Sequence, residues 1–273
     1  MPERTLTAAR PGPVVLALTA DAIELEVVVD PAATTATLSL TGPADAIDTA
    51  THAMEAAVWR VALIGQPVGH GGRTTRTRGG TFIQAAHVSG NISIVNGRVF
   101  VDGREATGPQ VEPVRATAVL PAGSALRTRV QAGTVGAHGH PLEWATHKGT
   151  AADLYIDTAR TLTACTKSGS VRAAKAGSID VETVSGDITI DHATGPSARL
   201  RTVSGDIHAE GRASFAAEAV SGDVYLNAHA DTDIAATAVS GDVTVVATGG
   251  ASPRVRATSV SGRVRAPIRH TRV

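Results

Sequence analysis

From residue 179 onward, apolar or small residues alternate with polar ones at a period of two, and the alternation slips once per repeat. Around Gly186 the apolar set is Ile179, Val181 and Thr183, then Ile188 and Ile190; around Gly205 it is Ala198, Leu200, Thr202, Ile207 and Ala209. Phe215, Ala217, Ala219, Val224 and Leu226 surround Gly222 in the same way, and Ile234, Ala236, Ala238, Val243 and Val245 surround Gly241. A period of two places each set on one face of extended strands, which predicts a continuous interior row. The step across each Ser-Gly pair has odd length, so the strand must be reset there by a bend or bulge.

The slip coincides with a motif. Val184-Ser185-Gly186-Asp187-Ile188 returns at Val203 to Ile207, Val220 to Val224 and Val239 to Val243, with degenerate copies at Gly262, Gly169 and Gly90 and weaker ones at Gly133 and Gly149. From Gly133 the glycines are 16, 20, 17, 19, 17, 19 and 21 residues apart, so the unit averages about 18 residues, one coil or rung of a stack. Glycine suits a corner that needs positive φ, and the neighbouring Ser and Asp can hydrogen-bond the backbone. A second, less regular turn is expected at Thr194-Gly195-Pro196, Glu210-Gly211, Asn227 to Asp231 and Gly249-Gly250. A rung of two short strands cannot bury its apolar side alone, so it must pair with neighbours at about 4.8 Å. With only 3% aromatic residues, the predicted core is thin. The fold class is therefore all-β: a β-solenoid or β-roll of roughly 18-residue rungs.

In these rungs, their small inward residues and the scarcity of aromatics, the chain resembles the putative-adhesin family of bacterial β-strand-repeat proteins, over roughly Thr81 to Pro267. The resemblance implies a β-solenoid, no established catalytic residue and no cofactor.

The N-terminal part reads differently. Ile23, Leu25, Val27 and Val29 predict a strand ended by Asp30-Pro31, and Ala36, Leu38 and Leu40 predict another, as a hairpin or a first imperfect coil. Ile47, Thr51, Met54 and Val58 fit helical spacing between Pro43 and Trp59, whereas Trp59, Val61 and Leu63 fit a strand; a short helix covering the end of the stack is the expectation. Five glycines with Arg73, Arg76 and Arg78 between Gln66 and Gly80 read as a surface loop. Asn96-Gly97 between Ile92/Ile94 and Val99/Val101 predicts a two-residue hairpin that interrupts the stack before it resumes near Val119. The expected organisation is an N-terminal β region or cap over 1–65, a Gly/Arg-rich loop over 66–80 and the solenoid over 81–273.

Charge and composition narrow the function. The 25 basic residues balance the 25 acidic ones, so no bulk field draws the chain to nucleic acid or membrane. Lys148, Lys167 and Lys175 are the only lysines, a bias that fits a GC-rich bacterial genome. Cys165 is the single cysteine, which excludes an internal disulfide, and its phase places it outward. No run approaches the roughly 20 apolar residues of a membrane span. Pro13 to Ala22 faintly imitates a signal peptide, but a first β-strand is the simpler account, so a cytoplasmic location is the default and the cell surface requires an unrecognised export route.

Candidate chemistry is sparse. His138, His140 and His147 have the ligand type for zinc, but Pro141 and the lack of a further ligand motif favour a polar loop. Asp187, Asp206, Asp223 and Asp242 could line up as a calcium-binding column, yet one Asp per rung favours solvated turn caps. Arg254, Arg256, Arg263 and Arg265 predict a basic patch on the last rungs, without interleaved aromatics for base stacking. The reading is a non-catalytic scaffold or binding module whose regular faces meet a protein or polymer partner, with end-to-end self-association. The alternative is a polysaccharide-active β-helix enzyme, supported by fold analogy alone.

Overall fold

The computed structural model describes residues 2–64 and 114–267 and, between them, five short strands. The chain begins with β1 (Glu3–Pro11), β2 (Val15–Asp30) and β3 (Thr35–Thr41), followed by the helix α1 (Ala44–Asp48) and the hairpin β4 (Thr51–Glu55) and β5 (Val58–Leu63). The apolar run after Pro13 is thus strand, though the second in the chain and not the first. The helix is shorter than its apolar spacing predicted: Met54 and Val58 fall in strands, and Ala46 and Ile47 alone bury its inner side. Arg4 ties α1 down, its guanidinium donating to the carbonyls of Ile47 and Ala50, both at 3.1 Å.

The five intervening strands pair only with one another. β6 (Arg73–Thr77) and β7 (Gly80–Gln84) are antiparallel, so part of the stretch read as a loop is a strand. β8 (Ile92–Val95) and β9 (Arg98–Val101) form the hairpin expected at Asn96-Gly97, with Val95 opposite Arg98, and β10 (Arg104–Glu105) adds a third strand. Gly90 lies outside the described residues, and the strand after it belongs to this small sheet and not to a rung.

The chain rejoins the main sheet with β11 (Val114–Pro121), slightly earlier than expected. β11 slots between β2, to which it is parallel, and β3, to which it is antiparallel, so β2 and β3 are not a hairpin. Long strands follow, β12 (Ala125–Gly139), β13 (Leu142–Thr166) and β14 (Val171–Thr183), each bending through a corner to serve two walls. The remaining rungs are shorter: β15 (Ile188–Ala193), β16 (Ser197–Ser204), β17 (Ile207–Gly211), β18 (Ser214–Ser221), β19 (Val224–Ala228), β20 (Asp233–Ser240), β21 (Val243–Ala247), β22 (Arg254–Ser259) and β23 (Val264–Arg265).

Every strand here pairs in parallel with the next but one. The first half of β14, then β15, β17, β19, β21 and β23 make one wall; the second half of β14, then β16, β18, β20 and β22 make the other. The protein is a β-solenoid. All the inward residues read from the sequence around Gly186, Gly205, Gly222 and Gly241 are buried. Each Leu or Ile so removed from water contributes about 1.5–3 kcal/mol, and only stacking makes that removal complete.

The two ends differ. At the N-terminal end β1 and β4 are antiparallel additions, each paired on one side only among the described residues, to β3 and β5. At the other end Val255 and Ala257 are only partly buried and Val264 is exposed, because no described strand covers them. No helix among the described residues is long and apolar enough to cross a membrane.

Candidate functional surface

The corner glycines lie against the backbone of the rung before. A Cβ would lie 2.2 Å from the Gly169 carbonyl oxygen at Gly186, 2.4 Å from that of Gly186 at Gly205, and 2.0 Å from that of Gly205 at Gly222. Gly241 and Gly262 continue the column, at 2.1 Å from Gly222 and 2.0 Å from Gly241, and Gly169 begins it at 2.0 Å from Ala152. The obstacle is main chain, which cannot move aside, so close approach and not positive φ demands glycine. Among these six only Gly222 has a positive φ, 156°, at the margin of the extended region. The weaker copy at Gly133 meets both conditions, with φ 123° and the Ile23 oxygen 1.9 Å from its missing Cβ.

Polar groups hold the corner from both sides. Inside, the Thr183 hydroxyl donates to the Gly186 carbonyl at 2.7 Å and lies 3.0 Å from the Thr202 hydroxyl, while Ser259 donates to the Gly241 carbonyl at 2.8 Å. Outside, each aspartate accepts the backbone N–H one rung on: Asp187 from Asp206 at 2.9 Å, Asp206 from Asp223 at 2.8 Å, and Asp223 from Asp242 at 2.7 Å. Arg263 ends the ladder, its N–H 2.9 Å and its guanidinium 2.8 Å from the two oxygens of Asp242. The Arg263 N–H, then its side chain, hold the Asp242 carboxyl below the ordinary carboxylate range.

Beside the corner stands a feature the sequence reading passed over. The first residue of each motif copy points outward, and Val184, Val203, Val220 and Val239 are each 45–47% exposed. Val260 continues the line at 79%. The result is an apolar ridge with one valine per rung, running along the stack. Its signal was in the sequence, since these valines stand in the polar phase of the alternation.

A groove of about 540 Å³ crosses the same wall, past Thr161, Ser178, Ser197, Ser214, Asp233 and Arg254, the equivalent residues of successive strands. Of the arginines expected to form a basic patch, Arg254 and Arg256 line its far end, and Arg254 is paired with Asp233 at 3.2 Å. Arg263 is committed to Asp242, and Arg265 is exposed on β23. The patch is thus partly neutralised within the protein.

The three histidines do not converge. His138 is exposed and lies 3.3 Å from Asp157, and His140 is exposed in the turn before β13. His147 is inside the solenoid at 1% exposure, 2.8 Å through Nδ1 from the Thr128 hydroxyl, and its Nε2 has no hydrogen-bond partner among the described residues. Burial pulls its pKa down to about 4, against the opposing influence of the Ala152 carbonyl and Asp153. Among the described residues no three His, Cys, Asp or Glu side chains are grouped to hold a metal ion. Cys165 is exposed, as its phase predicted.

Comparison with known proteins agrees with this geometry. A crystal structure from Parabacteroides distasonis, described as a putative adhesin, superimposes with a TM-score of 0.58 at 12% identity, covering 97% of this chain and 96% of the other. A second putative adhesin, from Parabacteroides merdae, gives a TM-score of 0.54 at 9% identity, covering 97% and 95%. Such low identities show a shared fold and no more. No curated protein matches. The family model described as Toastrack DUF4097 matches residues 83–273, which include every corner glycine of the uniform rungs, and the chain belongs to that family.

Proposed function

We propose that the protein is a non-catalytic binding scaffold whose stacked rungs present a repetitive surface to an elongated protein or polymer partner. The valine ridge carries this reading. A solvated turn has no need of a half-exposed valine in every rung, whereas a contiguous apolar line on a wall that also carries a groove is what an extended partner can dock against. Ridge residues recur at about the 4.8 Å strand spacing, so a partner lying along the stack meets the same chemistry several times, and weak contacts add through avidity. The adhesin descriptions of the two similar structures fit this role.

Co-sedimentation with insoluble bacterial envelope polymer tests it. The parent chain should sediment with the polymer, and a Val203→Thr/Val220→Thr variant, which keeps β-branched residues at exposed sites, should bind about ten-fold more weakly. Equal retention of parent and variant would contradict the ridge as the docking surface.

Self-association is the second part of the proposal. Since β22 and β23 remain an edge among the described residues, with Val255 and Ala257 only partly buried there, copies would meet through this end of the stack. Sedimentation velocity across a concentration series reads this directly, and a monomer at every concentration would remove it.

A further inference from the structure

On the wall that runs from β11 through β15, remote from the valine ridge, the outer surface has a notch of about 450 Å³. Its origin is a single residue. Glu26, Gly136 and Tyr155 are opposite one another on adjacent parallel strands β2, β12 and β13, and the missing side chain of Gly136 leaves a gap between the other two. The gap spans two strand spacings, about 9–10 Å. His138, the next outward residue on β12, leans over it: its Nε2 lies 3.0 Å from where a Gly136 Cβ would be, while its Nδ1 is held by Asp157 at 3.3 Å.

The remaining lining is polar. Thr117 and Thr134 border the notch, as does Glu24, which is bound by Arg115 at 3.2 Å. Among the described residues, Glu24 and Asp157 are engaged with Arg115 and His138, and Glu26 has no such partner. Tyr155 is 40% exposed, with the Arg172 and Asp153 side chains as its charged neighbours.

We propose that this notch binds a neutral sugar ring. A pyranose offers a C–H face to the Tyr155 ring and hydroxyls that donate to Glu26 and exchange hydrogen bonds with His138 Nε2 and the two threonines. The volume falls in the range of small-ligand sites and suits one or two rings. An ammonium ligand would find a single carboxylate left without an ion pair among the described residues of the notch, and a flat anion would be repelled by it, since Arg115 and Arg172 are already paired with Glu24 and Asp191. This site does not depend on the ridge, and the two readings stand or fall separately.

Saturation-transfer difference NMR with methyl glycosides of glucose, galactose, mannose and N-acetylglucosamine, and their disaccharides, tests the assignment. At least one should show transfer to its ring protons. Gly136→Val fills the notch with a strand-compatible side chain, and Tyr155→Ala removes the stacking surface; each should weaken binding about ten-fold or more. Glu26→Gln, which keeps an acceptor, should lose less than Glu26→Ala. The Val203→Thr/Val220→Thr variant should retain the sugar signal. Thermal unfolding of Tyr155→Ala, a surface change, should match the parent and so separate loss of binding from loss of fold. Absence of transfer from every glycoside would overturn the proposal. Transfer unaffected by both Gly136→Val and Tyr155→Ala, or binding of putrescine without binding of any sugar, would overturn it as well.

Discussion

The solenoid turns twice per rung, and its two turns obey different rules. At the first, the glycine always stands two residues before the next strand, as Gly186 does before Ile188 and Gly262 before Val264. At the second, the gaps between β15 and β16, β17 and β18, β19 and β20, and β21 and β22 hold three, two, four and six residues. The variation in rung length is therefore absorbed at this corner and in the irregularity of β15 that leads into it. The reason is contact. At the first turn the backbones of successive rungs touch, so a residue added or a carbon attached displaces a whole neighbour. At the second, close approach occurs only where the turn is tight, as at Gly177 against the Arg160 carbonyl, and it is gone at Gly249 and Gly250, where a Cβ would have nothing within 4 Å. Regularity in this sequence thus marks backbone stacking rather than chemistry.

The largest effects should come from breaking the first turn. Gly205→Val or Gly222→Val should destabilise by about 3 kcal/mol or more in urea unfolding, because the added carbons meet a carbonyl and force overpacking on two rungs at once. Gly250→Ala, at φ 79° in open space, should cost only about 1 kcal/mol of left-handed strain. Equal losses at both turns would erase the distinction.

His147 provides a comparable effect at the rung where the first turn is irregular. Its folded pKa, about 4, lies below the ordinary 6.5, so the unfolded chain takes up the proton first as pH falls. The stability contributed by keeping His147 neutral is complete above pH 6.5 and is lost between about pH 6.5 and 4, amounting to about 3 kcal/mol. Unfolding measured over that window should show this slope in the parent chain and a flatter profile in His147→Leu.

Smaller terms sharpen the comparison. Thr183→Val removes the hydroxyl that serves the Gly186 carbonyl and should cost about 1 kcal/mol. The smallest effect belongs to the second turn: a Gly-Ser insertion after Gly249 should cost at most about 0.6 kcal/mol, the entropy of closing a modestly longer loop. A loss as large as that of the corner variants would mean that this turn is also packed.

Much of this architecture was legible because a period of two and a period near 18 are both direct consequences of strand geometry and stacking. The inward residues, the two turns per rung, the outward Cys165 and the hairpin at Asn96-Gly97 all followed from local pattern. The reason for glycine did not, since a clash with a carbonyl 17 to 21 residues earlier is invisible to local φ preferences. The place of β11 between β2 and β3 was hidden for the same reason: strands next to each other in the sequence gave no sign that a third, more than 70 residues later, would separate them. The candidate sites fared worse. His147 has the phase of a buried residue, yet a histidine beside two others invites a surface reading, and Glu26, Gly136 and Tyr155 meet only through register.

The stacking itself can be measured with nitroxide labels on Ser204, Ser221 and Ser240, which are in register on adjacent strands, in a Cys165→Ser background. Labels at 204 and 221, or at 221 and 240, should show strong dipolar broadening across one strand spacing, and the pair 204 and 240 weaker broadening across two. Broadening absent from the adjacent pairs, or equal in all three, would contradict a parallel stack of successive rungs.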